Sequence, residues 1–323
     1  MAAHRRSPRK IIGGPGDIGL GCRGATGHRS GKPIGAIRRD PGRAGSIEWS
    51  TAMNRMIGCC TWIFGPAPLE DIAVRAARAG LDGVELFGDV EGTDPGRAKA
   101  TLEGQGLSVF SITPADADIS HPDTAVREAA LAYYDRLVDW AAQLGRPLIS
   151  CHGQVTRIKP VSSQEEEDAL LLDAVRRICG AAGKRGLEVV FEILNRYETH
   201  QVRTVRAGLE LLAQAGADNL KLLPDAYHMN IEEADPVAAL LAGGGRIGLY
   251  HAADSNRCGV GEGHTDFAAQ MAALNRIGYG GPIILETNAP GPNPFTPVKG
   301  SDTLDVVEAQ LAASALALKR MGA

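Results

Sequence analysis

From Met56 onward, short apolar runs alternate with amphipathic stretches of about ten to twenty residues, the pattern of repeated strand–helix units around a parallel sheet. Eight apolar runs stand out: Ile57 to Trp62, Gly83 to Phe87, Leu107 to Ile112, Pro147 to Cys151, Leu187 to Ile193, Leu220 to Pro224, Ile247 to His251 and Pro282 to Glu286. Most are continuously apolar rather than alternating, which predicts strands covered by helices outside and by packed side chains inside. Between them, Leu69 to Ala79, Thr124 to Leu144 and Gln164 to Ala182 carry helical spacing. Gly80, Gly145 and Gly186 stand between a helical segment and the next strand, where a left-handed C-cap selects glycine. Eight such units predict one α/β domain, a closed (β/α)8 TIM barrel over residues 56–323.

In such a barrel, chemistry gathers where the strands end, so the residues that stop each apolar run matter most. Strand five holds Glu192 inside Val190-Phe191-Glu192-Ile193, and a lone buried carboxylate is unfavourable unless something compensates it. Strand six stops at Asp225, strand seven at His251 with Asp254 just beyond, and strand eight at Glu286. A single carboxylate in such a place often just caps the next helix, and a single histidine is often a satisfied core residue. Four ligand-type residues on four successive strand ends favour a shared metal centre. Three carboxylates and one imidazole make a hard, oxygen-rich set suited to Mn²⁺, with Mg²⁺ and Co²⁺ as alternatives, and leave room for two substrate oxygens. Asp254 reads as a cap or as a support for a ligand.

Composition narrows the picture further. Hydrophobic residues make up 44% of the chain, the balance of a soluble enzyme and too polar throughout for a membrane span of about 20 apolar residues. Met1 to Met56 carries eleven Lys/Arg against Asp17, Asp40 and Glu48, a balance of +8; with a net charge of −4, the remainder stands at −12. An acidic body excludes general nucleic-acid binding, which needs a basic face. The first 55 residues lack hydrophobic periodicity and predict a disordered or non-native leader, most simply translated sequence upstream of a start at Met53 or Met56. Their formal GxGxxG at Gly19 to Gly24 runs into Gly27 to Pro33, a helix-breaking stretch where a phosphate-binding helix should begin. Six cysteines without CxxC spacing, and no secretory segment, predict a reduced cytoplasmic protein.

With these residues in place, the chain resembles the ketose 3-epimerases of the tagatose and psicose type, within the xylose-isomerase-like sugar isomerase superfamily. The resemblance is carried by Glu192-Ile193-Leu194-Asn195-Arg196-Tyr197-Glu198-Thr199-His200, by Asp225 to Glu233, by His251 with Ser255-Asn256-Arg257, and by Glu286. It implies that Glu192, Asp225, His251 and Glu286 bind the metal and that Glu198, His228 and Arg257 contact the substrate around its C1 and C2 oxygens. It also implies a sugar substrate and a homodimer or homotetramer. The expected reaction is metal-dependent epimerisation of a free ketose at C3 through a cis-enediolate. The proton beside a ketone is too weakly acidic for an unaided carboxylate, and a metal on the carbonyl and adjacent hydroxyl oxygens stabilises the enediolate as it forms. Inversion needs an acid/base group on each face, and Glu192 and Glu286 are the pair expected there.

Departures from the family pattern bear on the sugar. Trp62 is an aromatic expected to face the sugar, although its surroundings differ from the usual epimerase version. Strand four ends in Ser150-Cys151-His152-Gly153, and the unexpected His152 reads either as packing or as an extra substrate contact. A Pro-rich loop, Ala289 to Pro297, follows strand eight. The alternative reading is isomerisation or elimination on a 3-keto-glycoside, inosose or hydroxypyruvate-like substrate with the same metal site. Phosphodiester hydrolysis on a related barrel would call for more histidines and a basic DNA face. A non-catalytic sugar-binding protein would have no use for the complete ligand set.

Overall fold

The computed structural model describes residues 54–323 except 292, 294 and 295. The leader expected over 1–55, with its GxGxxG, lies outside the described residues up to position 53. Arg55, placed in that leader from the sequence, is buried in the folded domain. Its guanidinium donates to the Tyr279 and Gly322 carbonyls and to Asn275 Oδ1, and it sits 5.7 Å from the Tyr279 ring centroid. This ties the start of the first strand to the C-terminal end of the chain.

Eight parallel strands make the sheet: β1 (Ile57–Cys60), β2 (Gly83–Phe87), β3 (Ser108–Thr113), β4 (Leu148–Cys151), β5 (Val189–Ile193), β6 (Leu220–Pro224), β7 (Tyr250–Ala252) and β8 (Ile283–Leu285). Their order is β6-β5-β4-β3-β2-β1-β8-β7. Parallel bridges from Leu222 to Ile247 and from Asp225 to His251 join β6 to β7, so the ring is nearly closed. The expected TIM barrel is borne out. Helices α1 (Leu69–Arg78), α2 (Pro95–Glu103), α3 (Thr124–Ala141), α4 (Gln164–Lys184), α5 (Val205–Ala215), α6 (Ala226–Glu232), α7 (Pro236–Gly243), α8 (Phe267–Arg276) and α9 (Thr303–Arg320) alternate with them. The strands are apolar because both faces are covered: Ile57, Val84, Ile112, Ile149, Val190, Leu222 and Ile284 are all fully buried.

Gly80, Gly145 and Gly186 adopt φ of 73°, 94° and 67°, the left-handed geometry expected of them. At the N-terminal face a different demand operates on Gly83: a Cβ there would lie 2.3 Å from the Ser108 carbonyl oxygen and 2.5 Å from the Phe110 ring. Glycine is needed there for close packing rather than for turning. Five strands, β1, β4, β5, β7 and β8, are shorter than their apolar runs. The first ends at Cys60, and Thr61–Phe64 turns into a 3-10 helix that places Trp62 beside the end of the neighbouring strand β8. Strand β7 begins only at Tyr250; just before it, the Gly248 and Leu249 N–H groups share one acceptor on β6, the Leu222 carbonyl.

Candidate metal and substrate site

Four strand ends bring the sequence-selected ligands to one place. Glu192 lies within β5, Asp225 directly follows β6, His251 is in β7 and Glu286 directly follows β8. Each offers a ligand atom, and these atoms all lie within 4.8 Å of one another in a buried group. His251 Nδ1 stands 3.0 Å from Glu286 Oε2, 3.6 Å from Glu192 Oε1 and 3.9 Å from Asp225 Oδ2. Asp225 caps a helix and still turns one oxygen toward the group. Its Oδ1 accepts the Tyr227 N–H at 2.6 Å and caps α6, while Oδ2 turns toward His251 and accepts from Arg257 Nη1 at 3.2 Å. Such an oxygen-rich donor set fits a hard divalent cation. Cys60 Sγ falls near His251 and Glu286 as well, but burial and the neighbouring acids raise its pKa far above the usual thiol range, so it stays protonated.

Electrostatics divide the two glutamates. Burial, reinforced by Glu286, raises the pKa of Glu192. Burial also works to raise Glu286, but Arg257 and His251 outweigh it and hold that carboxyl low. Arg257 Nη2 stands 2.9 Å from Glu286 Oε2, and its guanidinium lies over the Tyr227 ring at 4.7 Å. The Arg257 backbone adopts φ of 65°, unusual for a non-glycine residue. Asp254 helps hold this turn: its carboxylate accepts the N–H groups of Ser255, Gly261 and Thr265 at 2.7–3.0 Å. Its role is therefore to organise the loop that presents Arg257.

A cavity of about 300 Å³ opens on these residues, lined by Trp62, His152, Glu192, Glu198, His228, Arg257 and Glu286, with Phe87, Asp116 and Val155 among the other walls. Trp62 does more than present an aromatic face, since its indole N–H donates to Glu286 Oε1 at 3.0 Å. His152 is buried, and its Nδ1–H donates to the Gly153 carbonyl at 2.8 Å, which leaves Nε2 as the other polar edge of the ring. His228 Nδ1 accepts the Asn195 backbone N–H at 3.3 Å, so its proton sits on Nε2. Burial, with Arg257 and the other histidines nearby, lowers its pKa to about 3 and keeps the ring neutral. Glu198 is pushed up to about 8, by burial first and then by the surrounding carboxylates.

Two residues at the site carried no role in the sequence reading. Asn195, fully buried, donates from Nδ2 to Glu198 Oε1 and stands at 2.7 Å from both that oxygen and His228 Nδ1. Glu85, in β2, faces His251 Nε2 at 3.1 Å. The signal that would have found Glu85 is the one used for Glu192, a single carboxylate inside an apolar run.

Fold and site together define a TIM-barrel enzyme with a buried acid–histidine centre. The family described as xylose isomerase-like TIM barrel matches residues 73–307, and the chain belongs to it. The chain is 34% identical to the ketose 3-epimerase of Arthrobacter globiformis over 66% of its own length and 75% of that protein's. It is 32% identical to the L-ribulose 3-epimerase of Mesorhizobium japonicum over 68% and 75%. Among solved structures, the D-allulose 3-epimerase of a Methylomonas species superposes with a TM-score of 0.73 at 27% identity, covering 83% of this chain and 98% of that one. The resemblance read from the motifs, and the isomerase class that it implied, are borne out. Among the described residues, no helix is long and apolar enough to cross a membrane.

Proposed function

We propose that this chain is a metal-dependent ketose 3-epimerase. The observation that carries the reading is the convergence of Glu192, Asp225, His251 and Glu286 within 4.8 Å beside a cavity sized for a small molecule. These four residues would hold a divalent cation, Mn²⁺ in the first instance with Mg²⁺ or Co²⁺ as alternatives. When bound, the cation supplies positive charge at the substrate oxygens on which negative charge develops.

The chain's own residues do the rest. Glu192 and Glu286 stand on strands separated by β6 and β7, so they approach a bound sugar from different sides. One begins ionised and takes the C3 proton; the other begins protonated and returns a proton to the opposite face. His228, neutral with its proton on Nε2, donates to the C2 carbonyl, and Asn195 fixes that tautomer from the other edge of the ring. Glu198, held by Asn195, meets a sugar hydroxyl. Arg257 orients Asp225 and Glu286 and adds positive charge at the oxygens of the substrate.

The test is proton exchange from D₂O into a panel of free ketoses and 3-keto-glycosides, with metal-stripped protein reloaded with Mn²⁺. Deuterium at C3 together with formation of the epimer is the expected result. Exchange confined to the keto-glycosides would move the function to that alternative substrate class, and absence of exchange across the panel would overturn the reading.

A further inference from the structure

The wall of the barrel opposite the four-donor group holds a charged residue that the proposed chemistry does not use. Glu85 is 1% exposed, deep in β2, where an ionised carboxylate persists only with partners for its oxygens. It has four. Ser111 Oγ donates at 2.5 Å, Thr113 Oγ1 at 2.6 Å and the Cys60 thiol at 3.6 Å, and His251 Nε2 faces it at 3.1 Å. Two of these partners are hydroxyls that donate to its oxygens, the environment of a carboxylate that accepts rather than of a carboxyl that must donate.

The two edges of the His251 ring therefore meet different company. Nε2 points to Glu85, whereas Nδ1 points to Glu286, Glu192 and Asp225. An ionised carboxylate can only accept, so it holds a proton on Nε2; a ring neutral at Nδ1 then presents a lone pair there. We infer that Glu85 is a positioning residue for the proposed ligand His251, locking the imidazole as the Nε2–H tautomer with Nδ1 aimed at the point shared by the three carboxylates. Glu85 itself lies on the far side of the ring and belongs to neither group of ligand atoms that could share an ion. Its anchors come from β1 and β3, so three consecutive strands fix the orientation of one side chain on β7. Partners of this kind orient a ligating imidazole and make it more basic.

The inference rests on the reading that the four-donor group holds a divalent cation, and the experiment separates the two. Metal-stripped parent, Glu85→Gln, Ser111→Ala and His251→Asn are titrated with Mn²⁺ by calorimetry, and ring-nitrogen NMR of His251 is recorded on the metal-free and Mg²⁺-loaded parent and Glu85→Gln. Glu85→Gln is expected to bind Mn²⁺ about 10–100-fold more weakly and to move the Nε2–H resonance. Ser111→Ala, which leaves the Glu85–His251 contact and the Thr113 and Cys60 donors in place, is expected to weaken Mn²⁺ binding by less than Glu85→Gln does. Parent-like affinity in Glu85→Gln, or equal losses in Glu85→Gln and Ser111→Ala, would overturn the inference and leave Glu85 as a tie between strands. If parent and His251→Asn bind Mn²⁺ alike, the reading of the metal site fails instead. The metal-free spectra then still decide for Glu85: a hydrogen-bonded Nε2–H that Glu85→Gln does not shift would exclude it as the partner that holds the ring.

Discussion

Strands β5 to β8 each carry, or hand on at once to, an ionisable residue aimed at a single point: Glu192, Asp225, His251 and Glu286. Strands β1 to β4 use the same backbone architecture and reach the same mouth, yet offer Trp62, Phe87, Thr113 and His152 to the cavity. Their one buried acid, Glu85, faces the back of His251 rather than the cavity. One half of the ring gathers the buried ionisable groups, and the other builds a wall and supports those groups from behind. Substitutions in the first half should therefore abolish turnover. Those in the second should alter affinity or choice of substrate.

The sharpest break of this comparison is Glu286→Gln. It preserves shape and leaves an oxygen for the Trp62 N–H, but it removes one of the two proposed acid/base groups, so kcat should fall about 10²–10⁴-fold in protein that is still folded. Near-native turnover at full metal content would show the two-carboxylate mechanism to be wrong. Next in size is Asn195→Leu, which deprives both Glu198 and His228 of a buried partner. Losing such a bond costs about 1–3 kcal/mol, a factor of about ten to a hundred in kcat/KM. The decrease should be found with Mn²⁺ affinity unchanged; a matching fall in metal binding would place Asn195 in the wrong half of the argument.

A third test lies outside the ring, among the loops that frame the mouth. Glu167 is fully buried, ion-paired with Arg157, and accepts the N–H groups of Val161 and Ser162. His200 Nε2 lies 3.0 Å from the same carboxylate, and Arg157 continues to Asp118 and Ser120. This network joins the β3–α3, β4–α4 and β5–α5 loops. Burial pushes the Glu167 carboxyl up, but the N–H groups of Ser162 and Val161 together with Arg157 outweigh it and leave the pKa low. A folded-state pKa below the unfolded one gives stability that is fully present above about pH 4.3 and is lost as the pH falls through the folded value. Glu167→Gln should thus cost about 2–3 kcal/mol in urea melts at neutral pH. Its deficit relative to the parent should shrink in acid. A pH-independent deficit would assign the effect to shape rather than charge.

The same comparison explains what could be read before folding. In β5 to β8, polar residues interrupt continuous apolar runs, and the interruption is itself the signal, because burying Glu192 or His251 without a purpose is unfavourable. Glu85 gives that signal too, within Gly83-Val84-Glu85-Leu86-Phe87, but it sits two residues short of the strand end and points to no ligand position in the motif. Asn195 stands in full view within the Glu192 to His200 segment, yet its task depends on reaching His228, 33 residues away, which only the adjacency of β5 and β6 provides. Trp62 was placed at the end of a strand, whereas the 3-10 turn after Cys60 is what brings its indole to Glu286. Arg55 carries a charge in a stretch without periodicity, and its place in the fold follows from the C-terminal residues it meets.

The smallest expected effect belongs to His152, the residue on β4's side that departs from the family pattern. Its Nδ1–H is taken by the Gly153 carbonyl, so only Nε2 remains to address a ligand in the cavity that His152 helps to line. His152 is not one of the four converging donors, so His152→Ala should lower kcat/KM on free ketoses by no more than about tenfold, the worth of one hydrogen bond. What should change is the ranking of substrates, because Nε2 would meet the part of the sugar remote from the reacting carbons. Kinetics of parent and His152→Ala on ketoses differing at C4 to C6, and on 3-keto-glycosides, measure this directly. A uniform loss across the whole panel would make His152 part of the reactive half after all and erase the division between the two sides of the ring.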